Sequence, residues 1–163
     1  MPWFKLSPVT DERFFDTAPI RFDYEMHLPV PADEVWAGLT ADRPLGWCKM
    51  LSVRYTSPRP FGVGTKREVG VQFNMARMKE HFFIWDEAKR CHAFYVEESN
   101  APLLDKFAEY YEVTPTDNGC VFVWRFAMQA KPGVATVLGL GKGLVKKLVF
   151  DRLISDTEKC FRR

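Results

Sequence analysis

The chain has 163 residues, 47% of them apolar and 15% aromatic, with 14 Phe and a formal net charge of +2. That length suits one domain with a core that needs no staple, and the small net charge argues against a nucleic-acid partner. Four cysteines without a CxxC spacing argue against a zinc site or a disulfide framework, and no apolar run approaches the ~18 residues of a membrane span, so the expectation is a cytoplasmic protein without metal or cofactor.

Residues 1–17 show no clean period and read as an N-terminal arm that packs Trp3, Phe4, Phe14 and Phe15 on a single domain spanning 18–163. Residues 20–28 alternate as a strand, with Phe22, Tyr24, Met26 and Leu28 on one face and Asp23, Glu25 and His27 on the other. Pro31 then suits the first turn of a helix, and Asp33 and Glu34 complement its dipole. Val35, Trp36 and Leu39 form its apolar stripe, which predicts a helix over 31–41. Residues 43–47 read as a second, very short helix or a turn. Leu51, Val53 and Tyr55 alternate as a strand, and the Pro- and Gly-rich 57–64 segment is a loop.

Strands follow in succession over 65–73, 78–85, 91–97, 107–113 and 120–128. The connections between them are short and polar, as antiparallel neighbours require. From Val134 onward the spacing is helical, with Val145, Leu148 and Val149 predicted as the buried stripe and Lys142, Lys146 and Lys147 on or beside the solvent face. Gly139, Gly141 and Gly143 are unfavourable inside a helix and point to a helix start near Gly143 or a kink there. The same glycines lack the spacing of a phosphate loop. The predicted fold class is α+β: a seven-stranded antiparallel sheet wrapped around a long C-terminal helix, with two short helices after the first strand.

Several stretches of this layout carry a resemblance. They are Leu28-Pro29-Val30-Pro31-Ala32-Asp33-Glu34-Val35-Trp36 at the strand-to-helix junction, Trp47 after it, and Gly64-Thr65 opening a strand. Trp85-Asp86 with Lys89-Arg90 at a hairpin follow, then Tyr111-Glu112-Val113-Thr114-Pro115 leading into Gly119-Cys120-Val121-Phe122-Val123-Trp124. In this order, over about residues 18–161, the chain resembles the helix-grip superfamily of START-like and polyketide cyclase/dehydrase-like proteins (SRPBCC). The resemblance implies a ligand cavity between the sheet and the C-terminal helix. It implies no single activity, because the fold hosts carriers, cyclases and sensors alike.

Strand parity then nominates site residues. Polar groups sharing a face with apolar ones are Tyr24, Arg67, Glu80, Tyr95, Glu97, Glu109 and Tyr111; Met26, Phe82, Phe122 and Trp124 would complete the lining. A hairpin turning near Pro102 would set Glu97 beside Glu109. Two carboxylates in a dry site cannot both ionise cheaply, so one would titrate high and serve as general acid or base. The competing reading leaves both glutamates in water or paired with Lys106 or Arg67. By the same parity His27, His81 and His92 face away from the cavity. The expected function is binding of a small-to-medium hydrophobic molecule. A polyketide cyclase-like enzyme using a cavity glutamate, and an interaction module built on the basic C-terminal helix and aromatic arm, are the alternatives.

Overall fold

The computed structural model describes residues 2–162. The first strand, β1 (Phe4–Lys5), and a single helical turn, α1 (Phe14–Thr17), belong to the arm. Strand β2 (Ile20–Leu28) leads through Pro29-Val30-Pro31 into α2 (Ala32–Thr40). Asp33 and Glu34 occupy the first turn of α2, and Ala32, Val35, Trp36 and Leu39 are its buried residues, the stripe expected from the spacing. Residues 43–50 form turns rather than a second helix. Pro44 precedes Leu45, whose φ of 58° leaves the helical region, and Gly46 follows.

Strands β3 (Leu51–Tyr55), β4 (Lys66–Val71), β5 (Ala76–Asp86), β6 (Cys91–Ser99), β7 (Leu104–Thr116) and β8 (Gly119–Ala130) complete the antiparallel sheet. Seven strands lie in the order β2-β8-β7-β6-β5-β4-β3, and β1 adds two residues at the Ser99 end of β6. The β7–β8 turn requires glycine: Gly119 has φ 149°, and a Cβ there would lie 2.0 Å from the Leu28 carbonyl oxygen.

Both faces of the sheet are covered. The concave face carries the main core, including Met26, Phe82, Phe94, Val96, Phe122, Trp124 and Phe126. On the convex face Val9 and Phe15 of the arm, with Ala18 just after it, pack on Ala93, Ala108 and Ala127, three small side chains that leave room for the Phe15 ring.

The C-terminal helix is three segments in one rod: α3 (Ala135–Val145), a π-helical stretch over Lys146–Phe150, and α4 (Asp151–Phe161). Phe150, Leu153, Thr157 and Phe161 face the core; α3 buries none of its residues. The glycine run neither starts nor kinks the helix; the irregularity falls just after it. The expected stripe of Val145, Leu148 and Val149 is therefore corrected in part: Val149 packs against the core, but Val145 and Leu148 are 40% and 48% exposed, whereas Leu153 is 4% exposed. A π-turn carries one extra residue per loop, so a 3.6-residue period extended across it loses phase. Leu153→Ala should cost about 2–5 kcal/mol and Leu148→Ala less than about 1 kcal/mol, as read from urea-denaturation midpoints.

Candidate functional site

Strand register brings a line of polar side chains onto the concave face. Arg67 of β4 stands opposite Glu80 of β5 and next to Tyr55 of β3. On the other side of the belt, Phe94 of β6 is opposite Glu109 of β7, His92 is opposite Tyr111, and Tyr111 is opposite Trp124 of β8. Arg67, Glu80, His92, Glu109, Tyr111 and Trp124 are all buried.

Two hydrogen-bonded units make up the cluster. Arg67 Nε donates to Glu80 Oε2 at 2.5 Å, and the guanidinium carbon lies 4.5 Å from the Phe94 ring centroid and 5.1 Å from that of Phe82. Tyr111 Oη donates to Glu109 Oε2 at 2.7 Å, and Trp124 Nε1 donates to the same oxygen at 2.9 Å. His92 is ringed by Trp36, Trp85, Phe82 and Tyr111, with centroids 4.8–5.1 Å away. Three buried atoms have no hydrogen-bond partner among the described residues: Arg67 Nη1, His92 Nδ1 and His92 Nε2.

Electrostatics follow from this burial. Arg67 keeps its charge although burial opposes it, because Glu80 faces it directly. Burial holds the Glu80 carboxyl above its ordinary value, although the guanidinium beside it pulls the other way. Burial, reinforced by Glu80, pushes Glu109 up to about 7, against the hydrogen bonds from Trp124 and Tyr111. Both of those bonds engage Oε2, so the proton of the neutral form sits on Oε1 and is available to an acceptor. Burial first, and the Arg67 charge second, hold His92 well below its ordinary value, as a neutral imidazole.

Among the nominated residues, Arg67, Glu80, Phe82, Glu109, Tyr111, Phe122 and Trp124 meet on the concave face. Met26 joins them in the core. Tyr24 is half-buried, and its hydroxyl donates to Asp151 at 2.8 Å, tying β2 to the start of α4.

Glu97 and Tyr95 lie elsewhere. Lys79 pairs with Glu98 and Glu80 with Val96, so Glu97 is the extra residue of a β-bulge. Its carboxylate bonds Lys66 at 3.1 Å and His81 at 2.9 Å; burial raises it, but those two partners hold it below its ordinary value. Tyr95 packs with His81 and Phe83 on the convex face. The Glu97–Glu109 pair is thus corrected, since the two side chains are not opposite each other and serve different faces. The carboxylate that does act on Glu109 is Glu80.

His92 is also corrected, from a residue facing away from the core to the centre of an aromatic cage. The same misphasing hid Phe94, on the same face of β6. Beyond the second bulge, between Phe82 and Ile84, Trp85 turns inward and Ile84 outward. The arm buries the convex side of β6 as well, so its alternation carries no phase. The one signal that could have found His92 is register to Tyr111 across β7.

Residues 19–155 match the family model described as "Polyketide cyclase / dehydrase and lipid transport". The chain belongs to that family. It is 32% identical over 120 residues to the uncharacterized protein Rv2574 of Mycobacterium tuberculosis, covering 71% of this chain and 70% of that one. The fold is similar to TTHA0849 from Thermus thermophilus, with a TM-score of 0.67 and 19% identity, covering 86% of this chain and 95% of that one. It is also similar to truncated norcoclaurine synthase from Thalictrum flavum, with a TM-score of 0.61 and 16% identity over 88% of this chain and 94% of the synthase. The expected seven-stranded sheet curled on a C-terminal helix is the fold of this family member.

A carboxyl raised in the folded state destabilises the fold once it must ionise. The Glu109 contribution is complete below the unfolded value near 4.3 and is lost as pH rises through about 7. Stability should fall by roughly 3 kcal/mol across that window, and Glu109→Gln should flatten the fall. Urea denaturation at a series of pH values tests this, and equal slopes in both proteins contradict it.

Proposed function

We propose that the interior of this protein binds a medium-sized, largely apolar molecule carrying an oxygen-bearing polar group. The aromatic concave face would hold the apolar body. Arg67 Nη1, the Glu109 proton and the Tyr111 hydroxyl would orient the polar end. The observation that carries this reading is the set of unpartnered buried atoms on Arg67 and His92. Each uncompensated polar group costs about 1–3 kcal/mol, and an interior chosen for stability alone would have apolar side chains there. Membership of a family described by cyclase, dehydrase and lipid-transport activities supports an apolar ligand. Access would be by displacement of α3, none of whose own residues is buried.

A second reading, proton transfer on a cyclic, polyketide-like substrate, is favoured by one specific observation. Glu109 titrates at about 7 and is hydrogen-bonded to Tyr111, which suits a general acid or base at neutral pH. Glu97, in its surface ion pair, has no part in it.

Anilinonaphthalene sulfonate, an apolar anion, and Nile red, an uncharged apolar probe, separate the components. Both should bind saturably to the native protein by fluorescence titration. Arg67→Met combined with Glu80→Leu removes the ion pair without stranding a charge; it should weaken the anion by about tenfold and leave Nile red nearly unchanged. Absence of saturable binding by either probe would overturn the binding reading. For catalysis, Glu109→Gln should abolish turnover while retaining probe binding.

A further inference from the structure

Strands β6 and β7 form a hairpin that does not close. They pair only over Cys91–Tyr95 and Ala108–Glu112. Toward the turn they part, and each keeps its outer neighbour: Val96, Glu98 and Ser99 pair with β5, while Leu104, Lys106 and Phe107 pair with β8. Each strand carries a bulge where they separate. Glu97 is the extra residue of β6. Asp105, skipped between the Leu104–Ala130 and Lys106–Gln129 pairs, is the extra residue of β7. A bulged residue is left out of its ladder, so its buried backbone groups need another partner.

The N-terminal arm supplies that partner. Phe4 and Lys5 pair with Ser99 and Glu98, the Leu6 amide donates to the Glu97 carbonyl at 2.9 Å, and the Ser7 amide donates to the Asp105 carbonyl at 2.7 Å. Ser7 Oγ adds a bond to Asp105 Oδ1 at 2.8 Å. The arm thus splices two strands that do not pair with each other there, and its bonds go to both bulged residues. Leu6 is 8% exposed and belongs to the main core with Val96 and Phe107, whereas Val9 and Phe15 belong to the convex cluster. The arm therefore crosses the sheet at this gap, with Leu6 closing it on the core side. The rim reaches the polar cluster, because Val96 is the ladder partner of Glu80. The hold is unequal along the arm. Phe15 is buried, and Arg125 bonds its carbonyl and the Asp16 carboxylate. Residues 10–13 are exposed, and Trp3 rests on Lys79, whose Nζ lies 4.4 Å from the ring centroid, a weak contact outside the core.

On the reading that the interior binds an apolar molecule, we propose that residues 3–7 are a displaceable strap over a slot in the sheet, and that lifting them opens an entrance to the interior beside Glu80. Phe15 stays anchored as the strap lifts, so the segment remains tethered and returns. The entrance is additional to one past α3, and the arm sets how often it opens.

Locking the strap tests it. Ser7→Cys with Asp105→Cys joins the arm to β7 by a disulfide in the full chain, as mass spectrometry checks. Stopped-flow fluorescence should show Nile red binding to and leaving the oxidised form about threefold or more slower than the same protein reduced with dithiothreitol, with Kd unchanged. Wild-type protein should not respond to the reductant. Leu6→Ala keeps the backbone bonds and removes the closing side chain; it should raise both rates by about threefold or more. Amide hydrogen exchange reads the lifting without a ligand. The Leu6 and Ser7 amides should exchange about tenfold or more faster than that of Phe82 in the core. Three results overturn the proposal. Exchange of Leu6 and Ser7 in step with Phe82 would mean that the strap never lifts. Unaltered Nile red rates in the locked and Leu6→Ala proteins would mean that ligand enters elsewhere, and would leave the binding reading intact. Absence of saturable Nile red binding would remove the binding reading and the entrance together.

Discussion

An ion pair buried on the concave face sets the terms for the rest of the interior. Arg67 and Glu80 are held opposite each other by the β4–β5 register, with side chains 1% and 3% exposed. Desolvating two charges offsets much of their attraction, so such a pair is a poor source of stability in itself. The aromatic rings of Phe94, Phe82 and Tyr55 around the guanidinium supply part of the missing solvation. Once present, however, neither partner can be removed alone without leaving a dry charge, at about 3–5 kcal/mol. The other buried groups titrate in the field of this pair. The Arg67 charge opposes protonation of His92, and Glu80 opposes ionisation of Glu109. The result is a neutral imidazole and a mostly neutral carboxylic acid at the acid side of neutrality, packed in one aromatic cluster.

Holding those groups in place is the work of residues outside the cluster. Glu87, in the β5–β6 hairpin, accepts hydrogen bonds from two indoles at once, Trp36 Nε1 at 2.6 Å and Trp85 Nε1 at 2.9 Å. Both rings pack on His92. A surface carboxylate thus braces α2 against β5 and fixes two walls of the cage around the imidazole. In the sequence this position looks like a turn residue with no consequence beyond the turn, since nothing local to Glu87 reveals the distant Trp36.

How much could be read from the chain varies with how many faces each strand buries. Strand β2 has a solvated side, with Asp23, Glu25 and His27 exposed, and its alternation placed Tyr24 and Met26 correctly. Arg67 and Glu80 were legible for a related reason, as their neighbours on the same face, Val69 and Phe82, are buried. Strand β6 is buried on both sides: His92, Phe94 and Val96 face the core while Ala93 and Tyr95 meet the arm. With no solvated side there is no phase to read, and one residue of slip exchanges every side chain. The bulges at Glu97 and Phe83 compound this, since each reverses the alternation without any glycine or proline to mark it. The misplaced glutamate and the missed histidine therefore share one cause.

The C-terminal helix divides at its π-turn in the same way. Segment α4 is amphipathic and carries the contacts that close the sheet: Trp47 donates to Thr157, and its ring lies 4.9 Å from Phe161. Segment α3 is apolar on several sides, yet none of its residues is buried. The joint itself is pinned, because Asp151 accepts from both Tyr24 and Lys146. A rod fastened at its middle and at its C-terminal half, with its N-terminal half resting lightly on the sheet, separates two demands that conflict in a single rigid helix. Packing stability resides beyond Phe150, where Leu153 and Phe161 enter the core. Before it, α3 has no buried residue of its own.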